Sequence, residues 1–132
     1  VMSDMARSIG SSTPVGTLLF TLFVPSVDRD GRAMGQARWV DEALTVFGTL
    51  FRGATAFPPG RGVWRDDARG GKLVLDETVM ITSYVDPSVV TDAALTALRS
   101  LLHRMGRDAR QGEVGIVIGS QDHGITRYDP QE

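Results

Sequence analysis

The chain predicts an α+β domain with elements in the order strand, helix, strand, strand, helix, strand. Three observations carry this reading. The run VGTLLFTLFV at 15–24 is apolar on both alternations, and two amphipathic helical stripes follow at 37–51 and from Thr91 onward. Between them LVLDETVMITSYV at 73–85 alternates over an unusual length, as a half-buried strand does. The order is that of a ferredoxin-like βαββαβ plait, a four-stranded antiparallel sheet with two helices on one face and strands one and three central.

Residues 1–14, VMSDMARSIGSSTP, are small and polar without a sustained period and read as a flexible leader. The single plait domain is expected over 15–128, with 129–132 as a tail. Strand one, 15–24, is apolar enough to sit in the sheet interior. PSVDRDGRAMGQ at 25–36 is a loop; its DRDG resembles the start of a calcium loop, but the later oxygen donors of that pattern are missing. Helix one carries Val40, Ala43, Leu44, Phe47, Leu50 and Phe51 on one stripe, with Asp41 and Glu42 in its first turn and Gly53 as its left-handed terminator.

FRGATAFPPGRGVWR at 51–65 then leads into an edge strand, where Pro58 and Pro59 are tolerated. DDARGGK supplies a hairpin into strand three. Asp86-Pro87 breaks that strand, and Thr91 caps helix two, whose apolar stripe is Ala94, Leu95, Leu98, Leu101, Leu102 and Met105. Gly106 or Gly112 ends it, VGIVIGS at 114–120 is the last strand, and QDHGITRYDPQE is polar.

The bulk properties narrow the function classes. At 132 residues the chain forms one domain that needs neither disulfides nor metal, and it contains no cysteine for thiol chemistry. A net charge of -2 provides no field for nucleic acid or an anionic membrane, and no apolar run is long enough to span a bilayer. The expected location is cytoplasmic. No motif calls for a cofactor or a metal.

Several residues invite chemistry. Glu77 shares its alternation with Leu75 and Val79, the face that the helices cover; a buried carboxylate there acts as an acid or base, or forms a structural salt bridge, or turns outward on a bulge. Arg52, Arg61 and Arg65 offer bidentate anion binding, although the glycines among them follow a helix rather than open one and so do not form a phosphate loop. Thr78, Met80, Thr82 and Tyr84 face away from the helices and make a surface suited to a second subunit. Strands one and three lack the basic and aromatic signature of an RNA-binding sheet. His103 reads as structural and Asp122-His123 as a solvated loop.

The stretch 51–81 resembles a group of small bacterial proteins that read F-G-G-x-T, then G-x-W, then a glutamate-containing strand. Phe51, Gly53, Thr55, Gly62, Trp64 and Glu77 occupy the motif positions, and Arg52 departs from its first glycine. The resemblance implies a ferredoxin-like domain with Thr55, Trp64 and Glu77 as one local unit, and brings no activity with it. The leading expectation is a non-catalytic or regulatory homo-oligomer binding a small anionic ligand through Arg52, Thr55, Trp64 and Arg65. The alternative is a small acid-base enzyme using Glu77 with an arginine as stabiliser. A third reading is a nucleic-acid-processing plait holding a divalent metal on Asp28 and Asp30.

Overall fold

The computed structural model describes residues 2–11 and 16–131. A short helix α1, Met2–Ser8, precedes the sheet; residues 1 and 12–14 of the expected leader, residue 15 of the expected first strand, and residue 132 of the tail lie outside the described residues. The remaining elements are β1 (Leu18–Val24), α2 (Gln36–Phe51), β2 (Thr55–Ala56), β3 (Gly60–Asp66), β4 (Lys72–Val85), α3 (Asp92–Asp108), β5 (Val114–Ile118) and β6 (Gln121–Ile125).

All strand pairs are antiparallel, in the order β2-β4-β1-β5-β6, with β3 alongside the first half of β4. β1 and β4 are therefore interior, as their length and apolar content require. The sheet has six strands rather than the expected four. One addition is the short β2, which occupies part of the edge assigned to a single strand. The other is β6, which corrects the reading of Asp122-His123 as a solvated loop: Gln121 to Ile125 pair with Ile118 to Val114. The two-residue link Gly119-Ser120 turns the chain with Gly119 at φ 64, a conformation that a side chain would strain.

The register sorts the side chains. Phe20, Leu22 and Val24 of β1 lie beside Val79, Ile81, Val85, Val114 and Ile116, all buried under the helices. Trp39, Ala43, Phe47 and Phe51 of α2, and Leu98, Leu101, Leu102 and Met105 of α3, complete this core. Phe51 stacks tilted on Phe20 at 5.1 Å and on Phe47 at 5.9 Å. Fully burying side chains of this size stabilises by about 1.5–3 kcal/mol each, so this layer fixes where both helices sit.

Helix ends confirm some local rules and correct others. The Thr91 hydroxyl accepts from the Ala94 amide, the N-cap expected from sequence. α2 starts at Gln36, a turn's fraction earlier than expected, so Asp41 and Glu42 fall outside its first turn. Its left-handed C-terminal residue is Arg52, at φ 74, rather than Gly53. Gly106 does not end α3 but lies within it, under the Tyr128 ring.

β4 is the longest strand, and only its second half runs beside β1. Its first half pairs with β3 alone and carries that hairpin beyond the helices. Asp67–Arg69 and the Gly70-Gly71 pair, both at positive φ, close it.

Candidate functional site

The point where β4 leaves the core is the most chemically furnished place in the fold. Glu77 has the alternation of Val79 and Ile81, as the sequence implied, but it is exposed. The register is continuous on both sides of it, so no bulge turns it outward. Its exposure follows from the strand projecting past the helices, which is none of the three arrangements expected.

A hollow of about 260 Å³ opens here, lined by Ser26, Arg61, Gly62, Leu75, Asp76 and Glu77. Arg61 stands directly opposite Glu77 across the β3–β4 ladder. Among the described residues neither side chain forms a hydrogen bond or an ion pair with the protein. Gly62, opposite Asp76, places no side chain over the Asp76 carbonyl and the Thr78 hydroxyl on the other face of the hairpin. The hollow thus offers a free carboxylate and a free guanidinium to a ligand.

The neighbouring carboxylate is differently employed. One oxygen of Asp76 accepts from the Ser26 hydroxyl at 2.5 Å and the Ser26 amide at 3.0 Å; the other accepts from the Thr78 hydroxyl at 3.1 Å. The Ser26 hydroxyl in turn accepts from the Glu77 amide at 3.2 Å, and the Gln36 side-chain amide donates to the Glu77 carbonyl at 2.7 Å and to that of Val24 at 3.0 Å. The Glu77 side chain is free while its backbone is held.

The other candidates from the sequence do not converge on this hollow. Thr55 is opposite Thr82, and Arg65 is opposite Leu73. At the strand rise of roughly 3.3 Å per residue, nine residues of β4 separate these two levels by about 30 Å. Arg65 is bound to Asp67 at 2.5 Å, Trp64 is opposite Val74 on the other face of the hairpin from Glu77, and Arg52 sits at the end of α2. The expected ligand set of Arg52, Thr55, Trp64 and Arg65 is spread along the sheet edge. Thr78, Met80, Thr82 and Tyr84 do share the face away from the helices, with Tyr84 69% and Met80 39% exposed.

Asp28 and Asp30 do not form a metal site. Asp28 closes its own turn, accepting from the Asp30 amide at 2.8 Å and the Arg32 amide at 3.0 Å, and the Arg32 amide is the first cause holding its carboxyl below the usual range. Asp30 pairs with Arg110 at 2.9 Å. Among the described residues no three His, Asp or Glu side chains gather closely enough to hold a metal.

A larger, shallow groove of about 800 Å³ runs between α3 and the end of β6, lined in part by Asp92, Leu95, Arg99, His103, Ile125 and Arg127. Two of its polar groups are engaged in structure: Arg99 grips Asp129 through two hydrogen bonds, and the Nδ1 atom of buried His103 accepts from the Asp129 amide at 2.7 Å. His103 is structural, as expected. Asp122 and His123 are exposed neighbours on β6, and alternation sends them to opposite faces.

Sequence reasoning singled out Glu77 and Arg61 but missed Ser26, Gln36 and Asp76. No local signal identifies the first two, because their partners lie 51 and 41 residues away in sequence. Among the described residues no helix is long and apolar enough to cross a membrane.

No family model and no curated protein matches the chain. Two solved structures share its fold. A phage SAM lyase in complex with S-methyl-5'-thioadenosine superposes with a TM-score of 0.64 and 20% identity, over 89% of this chain and 95% of that one. A phage SAM lyase in the apo state gives a TM-score of 0.61 and 18% identity, over 92% and 98% of the two chains.

Proposed function

We propose that this protein is a small lyase that takes S-adenosylmethionine into the hollow at the root of the β3–β4 hairpin and breaks its sulfonium bond to the amino-acid chain. The free Glu77 carboxylate opposite the free Arg61 guanidinium carries this reading. S-adenosylmethionine has a cationic sulfonium, an ammonium group and a carboxylate. Glu77 matches the cationic groups and Arg61 the carboxylate, in a bidentate contact. The near end-to-end similarity to structures named as SAM lyases supports the same substrate class.

The reaction breaks the bond between sulfur and Cγ of the methionine moiety, and the electron pair leaves on sulfur, producing S-methyl-5'-thioadenosine. Two routes balance the amino-acid fragment. If Glu77 removes a proton from Cβ, that C–H pair becomes a Cβ=Cγ double bond and the proton rests on Glu77. If the substrate's own carboxylate attacks Cγ, a lactone forms without proton transfer, and Glu77 holds the ammonium group. Identifying the second product therefore assigns the role of Glu77.

This reading replaces a non-catalytic protein as the preferred one, and a zwitterionic, cationic-centred substrate replaces a simple anion. We also infer self-association, since Tyr84 and Met80 on the open face and Val63, Trp64, Leu73 and Leu75 on the hairpin are large apolar side chains left to solvent. The core order β1-α2-β3-β4-α3-β5 supports reading the domain as a ferredoxin-like plait extended by β2 and β6.

The direct test incubates purified protein with S-adenosylmethionine and follows S-methyl-5'-thioadenosine by chromatography. Product formation that disappears in Glu77→Gln is expected. Absence of turnover and of binding by calorimetry overturns the proposal.

A further inference from the structure

We propose that Ser26 and Gln36 are positioning residues for Glu77: their side chains replace backbone partners where the β1–β4 ladder stops, and so fix the peptide from which the carboxylate projects. The inference rests on the reading of Glu77 as the essential carboxylate of the lyase site.

The β1–β4 ladder runs from Leu18 opposite Val85 to Val24 opposite Val79. One step further, at Pro25, the paired register ends. In an antiparallel pair only alternate residues exchange both N–H and C=O with the residue opposite; Met80 turns its carbonyl to Phe57 of the edge, so the odd residues of β4 face β1, and continued register would pair Glu77 with Ser26. Instead the Ser26 hydroxyl accepts from the Glu77 amide, at 3.2 Å, and the Gln36 side chain donates to the Glu77 carbonyl, at 2.7 Å. Both polar groups of the Glu77 peptide are thus served by side chains from the loop after β1 and the first residue of α2.

The bonds around this pair set their direction. A hydroxyl has one proton and two lone pairs. The Ser26 proton is directed to Asp76, at 2.5 Å, which leaves its lone pairs toward the Glu77 amide. Asp76 is held in turn by the Ser26 amide and the Thr78 hydroxyl. Gln36 spans both strands, donating to Val24 as well as to Glu77, so α2 fixes the distance between them. Without this arrangement the projecting half of β4 would hinge at the residue that carries the chemistry.

The test uses the full chain with Ser26→Ala, Ser26→Thr and Gln36→Glu, and Glu77→Gln as the reference. Gln36→Glu keeps the shape and removes the donor. A misplacement of about 1 Å costs on the order of a hundredfold in rate, so Ser26→Ala and Gln36→Glu should lower kcat by roughly tenfold to a hundredfold with KM for S-adenosylmethionine little changed. Ser26→Thr, which retains the hydroxyl, should restore most of it. Amide exchange at Glu77, followed by NMR, should accelerate at least about tenfold in the two damaging variants while exchange in the core of β1 is unchanged, as expected for local opening. Wild-type kcat in both damaging variants, beside an inactive Glu77→Gln, overturns the positioning role. If the wild-type protein itself forms no S-methyl-5'-thioadenosine, the lyase reading fails, and exchange alone decides the clamp: unchanged protection at Glu77 in Ser26→Ala refutes it, and lost protection upholds it.

Discussion

Arg61 faces Glu77 across the β3–β4 ladder, yet the two side chains form no ion pair. Both are left to solvent, where a closed pair would contribute only about 0–1 kcal/mol. The pair is therefore inexpensive to keep apart, and a ligand carrying both charges replaces water at each end. This makes the two residues separable by kinetics. Arg61→Ala should raise KM for S-adenosylmethionine roughly tenfold, with a smaller change in kcat, since it removes binding shared by ground and transition states. Glu77→Gln should lower kcat by about a hundredfold or more, within the range for a positioned acid-base group. Equal KM effects in the two variants, with kcat preserved in both, would remove Glu77 from the chemistry.

Gly106 gives a second prediction, about stability. A helix-interior glycine replaced by alanine ordinarily stabilises by about 0.5–1 kcal/mol. Here a Cβ would stand 2.1 Å from the Tyr128 ring, whose hydroxyl is bound to the Gln111 carbonyl at 2.8 Å. Overpacking costs typically about 1–3 kcal/mol, so it outweighs the propensity gain. Gly106→Ala should lower the urea midpoint, and the same change in a Tyr128→Ala background should not. A stabilising Gly106→Ala in the wild-type background would show that the ring is free to leave.

How much of this was legible in the sequence depends on the distance over which each feature is decided. Thr91 capping α3 and the DDARGGK hairpin are settled within a few residues, and the structure bears them out; the alternation of 73–85 buries its expected face only from Val79 onward, with Leu73 and Leu75 exposed. β6 was missed because QDHGI carries one apolar residue; the signal that reveals it is Gly119-Ser120 after an apolar strand, a two-residue hairpin link. The exposure of Glu77 has no local signature. It depends on where α2 begins relative to β4, which the buried contacts of Trp39 and Phe47 decide. For the same reason Arg52 and Arg65 look alike in sequence to Arg61, although only Arg61 is brought opposite the carboxylate.

Self-association is the third prediction. Val63 is opposite Leu75 on a hairpin with solvent around it, and Leu75 is 74% exposed. A two-stranded hairpin is marginal in water without a covered face, so burial against another copy would stabilise the arm as well as enclose the hollow. Light scattering at micromolar concentration should report a dimer or larger species, and Leu75→Asp or Met80→Glu should dissociate it. A wild-type monomer at that concentration would count decisively against association.

The tail supplies the fourth, through pH. Asp129 receives two hydrogen bonds from Arg99 and its backbone is held by His103 and Arg107. The Arg99 hydrogen bond is the first cause holding its carboxyl below the ordinary value of 3.8; desolvation, next in size, opposes it, and the charges of Arg99, His103 and Arg107 add smaller lowering effects. A carboxyl depressed in the folded state contributes stability that is present above its unfolded pKa and lost as pH falls through the folded one. The loss therefore begins below about pH 4. Asp28 and Asp86 are depressed too, each chiefly by a backbone amide, so acid unfolding has several contributors. Asp129→Asn should flatten part of the dependence below pH 4 and leave the urea midpoint at pH 7 slightly lower than that of the wild type. Protection of the Asp129 amide, measured against its intrinsic exchange rate at each pH, separates the local event from global unfolding: in the wild type it should fall on acidification before that of the core of α3. Parallel pH curves for the two proteins, with no early loss of protection at the tail, would show that the Arg99–Asp129 contact fastens nothing.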